Sequence, residues 1–252
     1  MNIASYNVHG CVGRGNVRDV GRVAEVIREL QCDTIGLQEV FGAELLSKKT
    51  NLNLVEGKPH LWHHRHVGNA LLTSRPVLAV RHHDWSWPNH EPRAALDVDL
   101  EVNGETVRVI VTHLGLKPYE RRFQVKKILD LVKQTPIPER LIVLGDINEW
   151  LPLGRPLRWL NGLLGHSPAE RTFPSAWPLF ALDRVWVRPR HALIAYGAHR
   201  SPLAALASDH LPVKAIISSS PAQSRPRPQR LSLRRPSAPA RSAQAAPRIP
   251  SG

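Results

Sequence analysis

Residues 141–148 read LIVLGDIN, and residues 182–187 read LDRVWV. The first is an apolar run that ends on Asp146 and Asn148; the second is an apolar run that begins on Asp183. Two such strands bring their carboxylates to a common edge only if they run in opposite directions. The same opposition recurs along the chain. IASYN ends on Asn7, TIGLQE on Glu39 and VRVIVTH on His113, whereas SDHLPVKAII places Asp209 and His210 ahead of its apolar run. Convergence of these groups requires antiparallel neighbours within the sheets, which excludes an all-parallel barrel or a doubly wound sheet. Asp146 and Asn148, two positions apart, project to one side of an extended strand. Taken singly, Asp and Asn are ordinary turn residues. Carboxylates, amides and imidazoles recurring at one relative position are hard to explain as independent turns.

Working outward, strand-like runs cover 2–6, 34–37, 70–73, 107–111, 141–144, 185–187 and 213–217. Residues 19–30 place Val20, Val23, Ile27 and Leu30 on one helical face, and 123–132 does the same with Val125, Ile128, Leu129 and Val132. A mixed α/β domain follows, with no internal repeat.

The blocks SYNVHG (5–10), IGLQEV (35–40), GNALLTS (68–74), VTHLG (111–115), GDIN (145–148), LDRVWV (182–187) and SDHLPV (208–213) occur in this order. In them the chain resembles the endonuclease/exonuclease/phosphatase superfamily, the deoxyribonuclease I-like fold, over residues 1–218, and within it the small bacterial metal-dependent hydrolases. The resemblance implies a four-layer α/β/β/α sandwich of two mixed, largely antiparallel sheets with a site at one edge. It implies Glu39 as the principal Mg²⁺ ligand, with Asn7 and Asp209 near the metal and Mn²⁺ able to substitute. Asp146 would deprotonate the attacking water, Asn148 would hold it or a phosphate oxygen, and His210, fixed by Asp183, would donate to the phosphoryl group. His113 is the candidate acid for the leaving oxygen. The implied reaction is in-line attack of water on phosphorus, in a phosphodiesterase acting on nucleic acid or a phospholipid headgroup. Apurinic-site endonucleases of the superfamily carry an acidic or amide residue two positions after the first Asn; here that position is His9, which argues against abasic-DNA repair. The alternative reading is a catalytically weak protein that binds nucleic acid or anionic membrane through its fold and basic tail.

Charge and composition bound these readings. The 252 residues carry a formal net charge of +13, and seven Arg with no Asp or Glu lie in 218–252, leaving +6 for residues 1–217. That Pro/Arg/Ser-rich tail has too few large apolar residues to offset the entropy of ordering it, so a catalytic domain over 1–217 and a disordered tail able to contact polyanions are expected. No apolar stretch reaches the length of a membrane span and no signal-peptide pattern is present; the two cysteines, Cys11 and Cys32, lack metal-site or redox spacing. A cytoplasmic monomer is expected. His60, His63, His64, His66, His82, His83 and His90 crowd the middle of the chain, but no Cys pair or HExxH spacing supports a zinc site. Trp62, Trp85 and Trp87 read as inter-sheet packing, Arg93 as a surface residue outside the catalytic set, and Arg121, Arg122, Lys126 and Lys127 as a solvated helix face.

Overall fold

A computed structural model describes residues 1–58, 60–62, 65–134, 140–218 and 229–230. Along the chain come β1 (Asn2–Asn7), α1 (Val20–Leu30), β2 (Thr34–Gln38), α2 (Ala43–Thr50), β3 (Asn53–Glu56), β4 (His60–Trp62), β5 (Arg65–Val67), β6 (Ala70–Thr73), β7 (Val77–Asp84), β8 (Ala94–Val102) and β9 (Glu105–His113). They are followed by α3 (Pro118–Gln134), β10 (Arg140–Asp146), α4 (Arg155–Leu164), β11 (Asp183–Arg188), β12 (Leu193–Ala198), α5 (Ala204–Ala207), β13 (Val213–Ile217) and β14 (Gln229–Arg230). One sheet has the order β14-β12-β13-β1-β2-β6-β3, the second β11-β10-β9-β8-β7, and β4 pairs with β5. The β1–β2, β9–β10 and β12–β14 pairs are parallel. The pairs β1–β13, β10–β11 and β8–β9 are antiparallel, as the opposed motif ends require.

The layers follow from which faces are apolar. Ile3, Leu71, Val109, Val111, Ile142, Leu144 and Val213 fill the space between the two sheets. Helices α1 and α2 cover the outer face of the first sheet through Val23, Ile27, Leu30 and Leu46. Helices α3 and α4 cover the second through Val125, Ile128, Leu157 and Leu160. The result is the expected four-layer sandwich. Helix α1 starts where Asp19 accepts the backbone N–H of Arg22 at 2.9 Å, an N-cap bond that satisfies one of the otherwise unpaired first-turn donors. Two glycines set close approaches. A Cβ on Gly36 would lie 2.3 Å from Leu144 Cδ1 of the facing sheet, and one on Gly145, at φ +148°, would lie 1.8 Å from the Thr112 carbonyl oxygen.

Several sequence expectations change. Helix α3 begins five residues earlier than its apolar pattern indicated, with Pro118 in its first turn. Arg121 is not on a solvated face: it is buried and donates to the carbonyls of Gly115 and Leu116 at 3.3 and 2.6 Å. Trp85 packs in the layer between the second sheet and α3 rather than between the sheets, and Trp87 stacks edge-on against Phe123 at 5.2 Å. His83 Nε2 donates to Asp97 Oδ2 at 3.0 Å, and His90 bonds Tyr119 Oη at 2.7 Å, so both have protein partners. The side chains of Trp62, His60 and His66, and the whole of His63 and His64, lie outside the described residues, as does the 218–252 tail apart from Ser218 and the backbone of β14. No helix among the described residues is long and apolar enough to cross a membrane.

Candidate active site

Register places the candidate residues. In the second sheet Asp146, the last residue of β10, lies opposite His113 across the parallel pair and opposite Asp183 across the antiparallel one, so three strands deliver His113, Asp146 and Asp183 in one row. In the first sheet Asn7 ends β1 opposite Gln38, and Glu39 follows at once with φ +50°. The antiparallel β13 enters from the same edge, preceded by Asp209 and His210.

Hydrogen bonds join the two rows. Asn7 Nδ2 donates to Glu39 Oε1 at 3.1 Å and to Asp146 Oδ2 at 3.0 Å, tying the carboxylates of facing sheets to one amide. Asn7 Oδ1 accepts the His9 N–H at 3.0 Å. Asn148 does not continue the strand pleat: at φ +51° it curls back, its N–H donating to Asp146 Oδ1 at 2.9 Å. Its side chain donates to Leu114 O at 2.8 Å and sits 3.1 Å from His113 Nε2. His210 Nδ1 donates to Asp183 Oδ2 at 2.8 Å, which leaves Nε2 facing Asp146 Oδ2 at 3.7 Å. Asp209 is half-buried at the rim, its Oδ1 3.7 Å from His9 Nδ1 and 3.4 Å from Ser208 Oγ. Seven of the eight candidates thus share one network, and Asp209 joins through Ser208, whose hydroxyl also reaches the Asn7 carbonyl at 2.8 Å.

Two imidazoles in this network have opposite character. Burial lowers the His210 ring, but the carboxylates of Asp183 and Asp146 outweigh it and push it up to about 10, so it is an imidazolium at neutral pH. Burial holds His113 well below the ordinary histidine range, with the Arg93 and His210 charges acting in the same direction. Geometry agrees: Arg93 Nη1 faces His113 Nδ1 at 3.2 Å and the Asn148 amide nitrogen faces Nε2, so a ring protonated on both nitrogens would meet a donor on each side. Burial pushes Asp146 up to about 6, against the opposing pull of His210 and of the Asn148 and Asn7 donors.

Sequence reasoning missed three groups. Arg93 is buried rather than on the surface, held by two bonds to Glu91 at 2.9 and 3.1 Å, and it meets His113. The EPR block, 91–93, was its one signal. Thr172 donates to Asp183 Oδ2 at 2.6 Å, and Phe173 packs on the His210 ring at 4.9 Å between centroids. Neither has a motif.

The donor set suits a hard cation. Among the described residues, one grouping of three metal-ligating side chains is Asp146, Asp183 and His210, but its closest contact, 2.8 Å from His210 Nδ1 to Asp183, is a hydrogen bond between an imidazolium and a carboxylate. The half-buried Glu39 carboxylate, beside Asn7 and Asp146, offers the oxygens that magnesium-like ions prefer.

At the joined edge of this four-layer sandwich a half-buried carboxylate, a buried carboxyl raised toward neutrality and an imidazolium come together, and the architecture is that of the deoxyribonuclease I-like class. Residues 4–210 match the Endonuclease/Exonuclease/phosphatase family, and the chain belongs to it. The uncharacterized protein YbhP of Escherichia coli is 27% identical over 86% of this chain and 96% of its own length. Among solved structures, an endonuclease/exonuclease/phosphatase family protein from Leptotrichia buccalis has a TM-score of 0.72 at 16% identity, covering 86% of this chain and 99% of that one. The mannosyl-6-phosphatase Bt3783 of Bacteroides thetaiotaomicron has a TM-score of 0.70 at 16% identity, covering 86% and 99%.

Proposed function

We propose that the protein is a Mg²⁺-dependent phosphodiesterase, with Mn²⁺ able to substitute, that hydrolyses its substrate by in-line attack of water on phosphorus. The observation that carries this reading is the continuous network from Glu39 through Asn7 and Asp146 to the His210–Asp183 pair. Glu39, with Asn7 and Asp209 beside it, would hold the ion. When bound, the ion supplies positive charge against the phosphate oxygens and the charge that develops on them. Asp146, raised to about 6, is the base for the attacking water, since a base whose pKa lies near working pH combines availability with driving force. Asn148 fixes Asp146 from its backbone N–H, while its side-chain amide lies against His113 Nε2 and the Leu114 carbonyl. His210 Nε2–H faces the phosphoryl position, and Asp183 keeps the ring charged and oriented. His113 is then a neutral hydrogen-bonding group, and the acid role expected for it passes to His210.

Charge balance favours a diester. Glu39, Asp146, Asp183 and Asp209 gather here against one imidazolium, His210, and the arginine in contact, Arg93, is engaged with Glu91. A monoanionic diester is tolerated better in such a field than a dianionic monoester. The test is turnover of bis(p-nitrophenyl) phosphate beside p-nitrophenyl phosphate, with Mg²⁺, with EDTA and with His210→Ala. Diester turnover that EDTA abolishes and that falls by about 100-fold or more in His210→Ala supports the reading. Metal-independent turnover, or a fully active variant, refutes it, and preference for the monoester would align the chain with the phosphatase neighbour.

A further inference from the structure

The catalytic edge has an apolar, cationic collar on one side. Trp150, two residues beyond Asn148, packs on Phe180 at 4.7 Å and on Phe173 at 5.6 Å, and Phe173 lies against the His210 ring at 4.9 Å. From this anchored cluster two loops reach outward. Leu151 and Leu153 are 67% and 80% exposed on one; Trp177 and Leu179 are 80% and 60% exposed on the other. The second loop is built rather than loose. Phe173 and Phe180 form a bridge pair, Trp177 N bonds Pro174 O at 3.1 Å to turn the tip, and Ser175 Oγ fastens the loop to Ser208 O at 2.7 Å, one residue before Asp209. Large side chains held this far into water, and continuous with the catalytic edge, mark a contact surface.

The charges around them say what kind. Between residues 150 and 182 the one carboxylate is Glu170, which is buried and faces Arg200 at 3.9 Å, while Arg155, Arg158 and Arg171 are exposed. Within residues 150–182 the collar therefore presents hydrocarbon and guanidinium, and the half-exposed Asp209 marks its catalytic side. Aliphatic Leu151, Leu153 and Leu179 give no planar face for stacking a nucleotide base, whereas they and an indole tip partition well into the acyl–headgroup boundary, with arginines at the depth of anionic headgroups. We propose that this collar docks on an anionic lipid–water interface and sets the catalytic edge against phosphoesters at that surface. What is hydrolysed there rests on the phosphodiesterase reading; the docking does not.

The experiment separates the two. Full-length protein in EDTA, where turnover plays no part, is sedimented with vesicles of equimolar phosphatidylcholine and phosphatidylglycerol at physiological ionic strength. A Leu153→Ser/Trp177→Ser/Leu179→Ser variant, which keeps the basic tail, is run beside it. The expected result is binding by the wild type and a loss of about tenfold or more in the variant. Should that variant melt early, quenching by brominated phosphatidylcholine in the same vesicles decides instead: wild-type tryptophan fluorescence falls, and Trp177→Phe removes much of the quenched component. Equal binding by wild type and variant assigns the attraction to the tail and overturns the proposal. So does failure of the wild type to bind, or a dependence on these side chains seen only for single-stranded DNA. Trp177-dependent docking by a protein that turns over no phosphoester would leave this inference standing and overturn the hydrolase reading.

Discussion

Asp183→Asn keeps the shape of the side chain and removes one charge from the centre of the site. Asp183 Oδ2 accepts from His210 Nδ1 at 2.8 Å and from Thr172 Oγ1 at 2.6 Å, all out of contact with solvent. A hydrogen bond to a charged group is worth about 1.5–3 kcal/mol. At ~1.4 kcal/mol per factor of ten, its loss lowers kcat by about 10- to 100-fold. Protonation contributes separately. In the wild type the ring, raised to about 10, stays charged through neutrality. With the Asp183 charge gone, burial draws it back toward the ordinary value of ~6.5, where about a tenth of the rings are charged at pH 7.5. The combined loss at that pH is about 100- to 1000-fold. The pH profile carries the sign. Wild-type kcat/KM rises as Asp146 loses its proton near pH 6 and stays level until His210 titrates near 10, whereas the variant begins to fall with rising pH at about 6.5. The assay is bis(p-nitrophenyl) phosphate turnover at saturating Mg²⁺ across this range, with melting temperature as the folding control. Because the folded pKa of His210 is raised, its pair with Asp183 supports folding fully below about 6.5 and loses that support as pH climbs through about 10. A variant within about threefold of wild type, with an unchanged profile, refutes the assignment of His210 as a charged donor held by Asp183.

Two further outcomes follow from buried charges. Asp97→Ala leaves the buried Arg108, bonded to Asp97 at 2.8 Å, and His83 without that partner, while Arg81 keeps Asp99; about 3–5 kcal/mol of stability is lost in urea unfolding, and a loss under 1 kcal/mol would show the cluster is dispensable. Burial alone would raise the Asp97 carboxyl, but its bonds from Arg108, His83 and Arg81 hold it far below the ordinary range, so the contribution is present above about pH 4 and disappears as pH falls toward the folded value. Arg93→Met removes the donor at His113 Nδ1 and a nearby positive charge, so kcat falls about tenfold or more and the His113 ring, followed by NMR, titrates at higher pH than in the wild type; an unmoved titration would mean Arg93 does not govern the ring.

The opposed strand ends were legible because each motif couples a polar residue to a fixed end of an apolar run, and antiparallel pairing is the arrangement that gathers such ends. LIVLGDIN and LDRVWV lie side by side with Asp146 opposite Asp183. Strands β7 and β8 of the second sheet were not legible. AALDVDLEV and VLAVRHHD interrupt their apolar groups with charges whose partners lie on neighbouring strands, Asp97 pairing with Arg81 of β7 and with Arg108 of β9. Arg121 and Arg93 were misread for the same reason: a lone arginine looks solvated until a buried partner is known. Asn148 was placed beside Asp146 by strand alternation, but the left-handed turn at Asn148 brings them together instead.

The chemistry of the site depends on neighbours that no motif names. His113 and His210 are the same residue type, are both buried, and lie within reach of Asp146, at 3.6 and 3.7 Å. Burial keeps one neutral, reinforced by the Arg93 charge turned toward it; the other is charged because β11 begins on Asp183, which outweighs burial, and Thr172 holds that carboxylate in place. Their cooperation also needs the two sheets to be close. Asn7 on β1 reaches Asp146 on β10 at 3.0 Å, and beside them Gly36 on β2 faces Leu144 on β10 at a distance that admits no Cβ. The neutral and the charged imidazole are thus distinguished by register and neighbours, the residue type being the same. A chain that kept all seven motif blocks but altered Arg93 or Thr172 would retain the family signature while losing the electrostatic difference on which the proposed hydrolysis rests.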